Sequence, residues 1–241
     1  MKWDEIFCHS FKAIRQQHEA EIEEAVSFML PSMPMIKACR ADHFDYFDPF
    51  IAAGKLTIEQ MHHAAQRYFL GKSKSGQPIY WMIDEMMTPL DAHIGDTWIS
   101  CLLKQRHPIL ESWSVKHCLF GLHLLYDIHL GIDERPVCIV ESEASAVVLS
   151  ELLPENIWMA YGTNVHLFIE QMAPLEGRNV IFFPNTDPAM SNYISFQEFA
   201  DNVKRSYEID IQIDTTLEDH ATAAQKERNI DLLDFLLDSL Q

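Results

Sequence analysis

Glu141 stands where an apolar run stops and a helical pattern starts. Asn185 and Asp187 stand at a second junction of the same kind. The run Val137–Val140 suits a strand buried on both faces of a parallel sheet. Ser142 or Glu143 then begins a helix, and an acidic residue is favoured there. The second run, Val180–Phe183, leads into Pro184-Asn185-Thr186-Asp187. In open α/β sheets, ligands bind at the carboxyl edge of the strands. Two neighbouring parallel strands ending in acidic and amide oxygens would offer an oxygen-rich site for a hard cation such as Mg²⁺. Glu141 and Asp187 are expected to face one shallow cleft, with Asn185 on its rim. Glu143 is either a further ligand or part of the helix start.

The two segments, IVESEASAVV and GRNVIFFPNTDPA, resemble the motifs of the toprim domain. Toprim is the metal-binding fold shared by bacterial primases, topoisomerases and some nucleases. The resemblance is nearest to a toprim-like, primase-related family of bacterial mobile elements. It covers roughly residues 60 to 241 and is densest from 136 to 190. It implies a parallel sheet flanked by helices, Glu141 as the acid/base residue, and Asp187 as a ligand of Mg²⁺ in phosphodiester chemistry. Three departures stand out. Ser142 replaces the usual Gly, Ala144 replaces a frequent Lys, and Asn185 replaces the first Asp of the Asp-x-Asp pair. Asn offers a carbonyl oxygen but no charge, so a weakened Mg²⁺ site is expected, with Glu143 as a compensating ligand. The leading reading is a degenerate toprim-like protein that binds nucleic acid, such as single-stranded DNA, or a DNA replication partner. The alternatives are an active Mg²⁺-dependent primase or nuclease, and a purely structural or interaction protein.

The composition limits the partners. The 241 residues carry a formal charge of −18, which argues against a general DNA-coating role. The charge is uneven: residues 124–241 hold 21 acidic and 6 basic side chains, while residues 55–123 hold 6 and 7. Any nucleic-acid contact is therefore expected at Arg67, Lys72, Lys74, Lys104, Arg106 and Lys116, unless these are ordinary solvated side chains. Five scattered cysteines imply no disulfide framework. Cys8, His9, Cys39 and His43 invite comparison with a zinc module, but no close CxxC pair is present. With no export-signal pattern and no apolar run long enough to span a bilayer, a cytoplasmic protein without membrane contact is expected.

The elements that must position these residues follow in order. Residues 1–54 read as an N-terminal helical region, with a helix over 3–30 and a Met- and aromatic-rich connection. Residues 55–130 read as a small α+β region: a helix over 57–70 capped by Thr57, a turn at 71–76, a strand over 78–84, and helices over 96–105 and 115–130. Tyr80 and Trp81 are taken as core rather than base-stacking residues, and His117, His123 and His129 as structural or surface side chains. Residues 131–241 read as the toprim-like domain. Its expected strands are 137–141, 157–161, 179–183 and an edge strand over 207–213. Its expected helices are 144–153, 165–173, 195–205 and 230–240, with a polar, mobile stretch at 214–228.

Overall fold

The computed structural model describes residues 31–112, 115, 117–130, 134–162 and 167–239. The expected helix over 3–30 and Cys8, His9 and Lys116 lie outside the described residues. So do residues 131–133 and 163–166.

Helices α1 (Met33–Ala38), α2 (Asp48–Ala52) and α3 (Ile58–Arg67) precede an antiparallel sheet. A reciprocal cap starts α3: Gln60 N donates to Thr57 Oγ1 at 3.2 Å, and Thr57 N donates to Gln60 Oε1 at 3.0 Å. Its inner face buries Met61, Ala64 and Ala65. The sheet runs β1 (Gly71–Lys72), β2 (Pro78–Ile83), β3 (Pro89–Ile94) and β4 (Thr97–Trp98), in chain order. Trp81 is fully buried and Tyr80 packs edge-on against Phe120, so both belong to the core. Strand β3 was not expected, because its alternation is inverted. Asp91 and His93 share one face and are buried.

Helix α4 spans Ile99–Arg106, later than expected, because residues 97–98 pair with β3. The expected helix over 115–130 is a 3₁₀ segment, Leu122–Leu130. Upstream, Phe120 pairs with Ala160 through backbone bonds of 2.8 and 3.1 Å. Gly121 turns there at φ +87°, where a Cβ would lie 3.0 Å from the Trp158 carbonyl oxygen.

The second sheet is parallel. Its strands are β5 (Val137–Val140), β6 (Ile157–Ala160), β7 (Asn179–Phe182) and β8 (Asp210–Ile213), in the order β6-β5-β7-β8. Every residue of β5 and β6 is buried, as expected of continuous apolar runs inside a parallel sheet. Helix α5 (Glu143–Leu152), the 3₁₀ helix Ile169–Leu175 and α6 (Ser191–Ser206) connect the strands. Three short helices follow: α7 (Thr216–His220), α8 (Ala223–Glu227) and α9 (Leu232–Asp238). Helix α5 packs against α3 and α9, while the 169–175 helix packs against α6. Right-handed crossovers running opposite ways along the sheet put these two groups on opposite faces. The stretch 214–228, expected to be mobile, is held in place. Thr222 and Gln225 cap α8, and Lys226 Nζ donates to Glu218 Oε2 at 2.7 Å. One core cluster reaches both sheets, from Phe44 and Met82 to Val140 and Leu232. Among the described residues, no helix is long and apolar enough to cross a membrane.

His123 ties the 3₁₀ segment to the end of α3, its Nε2–H donating to the Arg67 carbonyl at 3.0 Å. Burial, only partly opposed by that bond, pushes its pKa down to about 4. The folded state therefore prefers the neutral ring. Its contribution is complete above the unfolded value near 6.5 and is lost as pH falls from there toward 4, about 3 kcal/mol in all. Chemical unfolding at pH 7 and pH 4.5 should show that loss, and His123→Gln should flatten the slope. An equal pH slope in both proteins would contradict this.

Candidate functional site

The strand order reverses between β5 and β7, since β6 follows β5 on one side and β7 follows on the other. The carboxyl edge at such a reversal is the usual ligand crevice of an open α/β sheet. Glu141 follows β5 directly, and Pro184 to Asp187 follow β7 after Phe183. Strands β5 and β7 are neighbours, so Glu141 and Asp187 leave adjacent strand ends as the motifs require. Tyr161 leaves the neighbouring end of β6, its N–H bonded to the Val140 carbonyl at 3.2 Å. Burial, and the charge of Glu141 beside it, raise the Tyr161 phenol well above its ordinary pKa. The edge thus holds its tyrosine protonated.

The structure brings Glu141 and Asn185 together. Asn185 Nδ2 donates to Glu141 Oε2 at 2.7 Å, a charge-assisted bond. Glu141 must accept, so the amide orientation is fixed by chemistry. Asn185 Oδ1, on the other side of the amide, is buried with no hydrogen-bond donor. Asp187 serves a different end. Its Oδ1 accepts from Ala189 N at 2.9 Å and its Oδ2 from Asn192 N at 2.8 Å. Burial raises its pKa, but these N–H groups and Ser191 outweigh it and hold the carboxyl below its ordinary value. Met190, at φ +56°, turns the chain so that the first N–H groups of α6 meet this carboxylate.

Glu143 leaves the cleft altogether. It is buried and its Oε1 meets His93 Nδ1 at 2.8 Å, joining the first turn of α5 to strand β3. Burial lowers the His93 pKa, but the Glu143 bond and charge, with Asp96 and Asp91, raise it above its ordinary value overall. Next to it, Trp98 is stacked between His93 and His117 at 4.9 and 4.0 Å between centroids. His117 Nε2 meets Asp91 Oδ2 at 3.0 Å, and Ser100 Oγ donates to the same oxygen at 2.5 Å. Sequence reasoning missed this cluster. Its one signal was Asp91-x-His93 on alternate positions of an unrecognised strand. It also missed Asp231, which accepts from Ser145 Oγ in the first turn of α5 and whose pKa is raised by burial. The neighbouring Ile230 carbonyl accepts from Thr186 N at 3.1 Å, so the C-terminal segment closes over the second motif.

This donor set is a poor one for a resident Mg²⁺ ion: its charged oxygens are already hydrogen-bonded, while Asn185 Oδ1, which has no donor, carries no charge. The cation needs hard oxygens free to enter its shell. Both oxygens of Asp187 are committed to backbone N–H groups, Glu141 is bonded by an amide, and Glu143 is paired with His93. Among the described residues, the ligating atoms that cluster within 4.8 Å belong to His43, Asp45 and Asp48, far along the chain and exposed. Both His43 ring nitrogens face carboxylates there, at 3.3 and 3.2 Å.

The basic residues separate into three groups. Arg67 is internal: its Nη2 donates to Ser150 Oγ and Glu151 Oε1, both at 2.7 Å. Lys72 lies 5.4 Å over the Phe44 ring and 3.9 Å from Asp45, and Lys104 is half-buried. Lys74 and Arg106 are exposed.

Residues 91–186 match a family model described as a domain of unknown function (DUF6371), which covers less than half of the chain. The matched stretch opens on Asp91 and closes on Thr186, so it contains the His93–Glu143 pair and the Glu141–Asn185 bond. No curated protein and no solved structure matches the chain.

Proposed function

We propose that this chain is a degenerate toprim-like, primase-related binding module that engages a replication partner and carries out no metal-dependent phosphodiester chemistry. The observation that carries this reading is the 2.7 Å bond from Asn185 Nδ2 to Glu141 Oε2. It places a neutral donor where a second carboxylate would share a cation, and so satisfies Glu141 without metal. The strand-order reversal is present, and the motif side chains at its edge are engaged in hydrogen bonds.

A protein partner is favoured over nucleic acid. The chain carries −18, Arg67 is engaged internally, and Lys72 lies over the Phe44 ring beside Asp45. Of the described candidate cations, Lys74 and Arg106 are the exposed ones, and they support at most a few phosphate contacts and a shallow dependence of affinity on salt. The double substitution Lys74→Glu/Arg106→Glu should abolish any residual single-stranded DNA binding in fluorescence anisotropy at low salt. The melting temperature should not change. Unaltered DNA binding would rule out this surface.

The reading is tested by melting the natural protein with millimolar Mg²⁺ and with chelator. A ligand that binds only the folded state raises its stability by linkage. The two melts should coincide, and no Mg²⁺-dependent turnover of single-stranded DNA with nucleotides should be seen. A large Mg²⁺-dependent rise would return the chain to the active-enzyme class.

A further inference from the structure

The face of the parallel sheet opposite α5 carries a groove of about 440 Å³ between the 169–175 helix and α6. Leu167, Phe168 and Ile169 form one wall and Phe199 part of the other, with Glu170 and Glu198 among the lining residues. Phe168 is 58% exposed, and Ile194, one turn before Glu198 on α6, is 49% exposed. Large apolar side chains left on the outside beside a groove mark an interaction surface rather than a core. None of the described lining residues is cationic.

We infer that this groove docks a basic amphipathic segment of a partner protein, its apolar residues seated on Phe168 and Phe199 and its lysines or arginines against Glu170 and Glu198. The proposal rests on the binding-module reading and names that module's docking surface. Charge selects the occupant. A nucleic acid would bring phosphates to acidic walls. A second copy of this chain would bring another surface from a half that holds 21 acidic and 6 basic side chains. The chain's own residues 1–30 hold six acidic and three basic side chains and are likewise mismatched. A helix laid in a groove presents apolar anchors at i, i+3, i+4 and i+7 with its outer face free for cations, which suits a groove that pairs Leu167, Phe168, Ile169 and Phe199 with Glu170 and Glu198.

The probe is a labelled synthetic peptide of about 18 residues, long enough to hold helical structure. It carries leucines at i, i+3, i+4 and i+7 and lysines elsewhere. Its control replaces every lysine with glutamate. Anisotropy titrations should show saturable binding of the lysine probe to the full chain and none of the glutamate probe. Phe168→Ser should weaken binding at least tenfold, and so should Glu170→Lys/Glu198→Lys. Glu227→Lys, on the exposed surface of α8, should leave it unchanged. The proposal is overturned if no saturable binding occurs, if Phe168→Ser binds like the natural chain, or if Glu227→Lys weakens binding as much as Glu198→Lys. A dimer of the natural chain that dissolves in Phe168→Ser would give the groove to a second copy. Tighter probe binding after removal of residues 1–30 would give it to the chain's own leading segment. Either result overturns the proposal. The Mg²⁺ melts decide the module reading separately, because none of these substitutions touches Glu141 or Asn185.

Discussion

Arg67→Ala should lower the unfolding free energy by about 3 kcal/mol, the lower end of the cost of stripping one partner from a buried charge pair, because the Arg67 side chain is 25% exposed. Arg67 Nη2 donates to Ser150 Oγ and Glu151 Oε1 at 2.7 Å each and to the Ser150 carbonyl at 3.2 Å. The Glu151 side chain is 7% exposed, so the substitution leaves a carboxylate in a poorly solvated place. Its remaining partner, His63 Nδ1 at 2.9 Å, sits on a side chain that is 63% exposed and cannot replace the guanidinium. The contact also fastens α3 to the end of α5, so its loss loosens the junction between the two parts of the chain. Removing both charges together is a different matter. Arg67 Nε is buried without an acceptor, so part of the guanidinium is unsatisfied already. An apolar pair, Arg67→Met with Glu151→Leu, should therefore recover much of the loss. Denaturant unfolding of the natural protein, Arg67→Met, Glu151→Leu and the double variant measures the coupling. A change below about 1 kcal/mol in Arg67→Ala would show that solvent screens the pair.

The same residue shows where sequence reading stops. Charge balance groups Arg67 with Lys72, Lys74, Lys104, Arg106 and Lys116 as a nucleic-acid surface, because residues 55–123 lack the acidic excess of the residues that follow. Nothing local marks Arg67 as internal. Its partners lie more than eighty positions away on α5, and that docking is a product of tertiary packing. The parallel strands were legible for the opposite reason. Val137–Val140 and Ile157–Ala160 are apolar throughout because both their faces are covered, and composition alone reveals that. Strand β3 was illegible because it turns Asp91 and His93 inward, so a pattern rule that seeks apolar residues inside reads it as loop. The stretch 214–228 misled in the same way. Its polar side chains bond one another, Lys226 to Glu218 and Thr222 to Gln225, instead of facing only water. At the candidate site, the motifs placed Glu141, Asn185 and Asp187 at adjacent strand ends. They could not show what each oxygen touches. Glu143 was one of two alternatives, ligand or helix start, and its bond to His93 depends on a strand that sequence reasoning did not find.

Asn185→Asp should be the most informative single change in the site. It replaces the donor that meets Glu141 Oε2 at 2.7 Å with a second carboxylate oxygen. Loss of a hydrogen bond to a charged group costs about 1.5–3 kcal/mol, and two carboxylates at that spacing repel as well. The pair would relieve the repulsion by sharing a proton, which raises its upper pKa above that of an unfolded carboxyl. A raised pKa stabilises the fold below the unfolded value and loses that contribution as pH rises through the folded one. The variant should therefore melt close to the natural protein near pH 4 and well below it at pH 8. Divalent metal should reverse the deficit. With Asp at 185, two hard, charged oxygens share the crevice, and a Mg²⁺ ion between them turns repulsion into attraction. Millimolar Mg²⁺ at pH 8 should then raise the variant's melting temperature and leave the natural protein's unchanged. Calorimetry or thermal melts with Mg²⁺ and with chelator, at both pH values, give the four comparisons needed. A variant that is as stable as the natural protein at pH 8 and indifferent to Mg²⁺ would show that residue 185 does not control the charge of this crevice, and the degenerate-site reading would lose its main support.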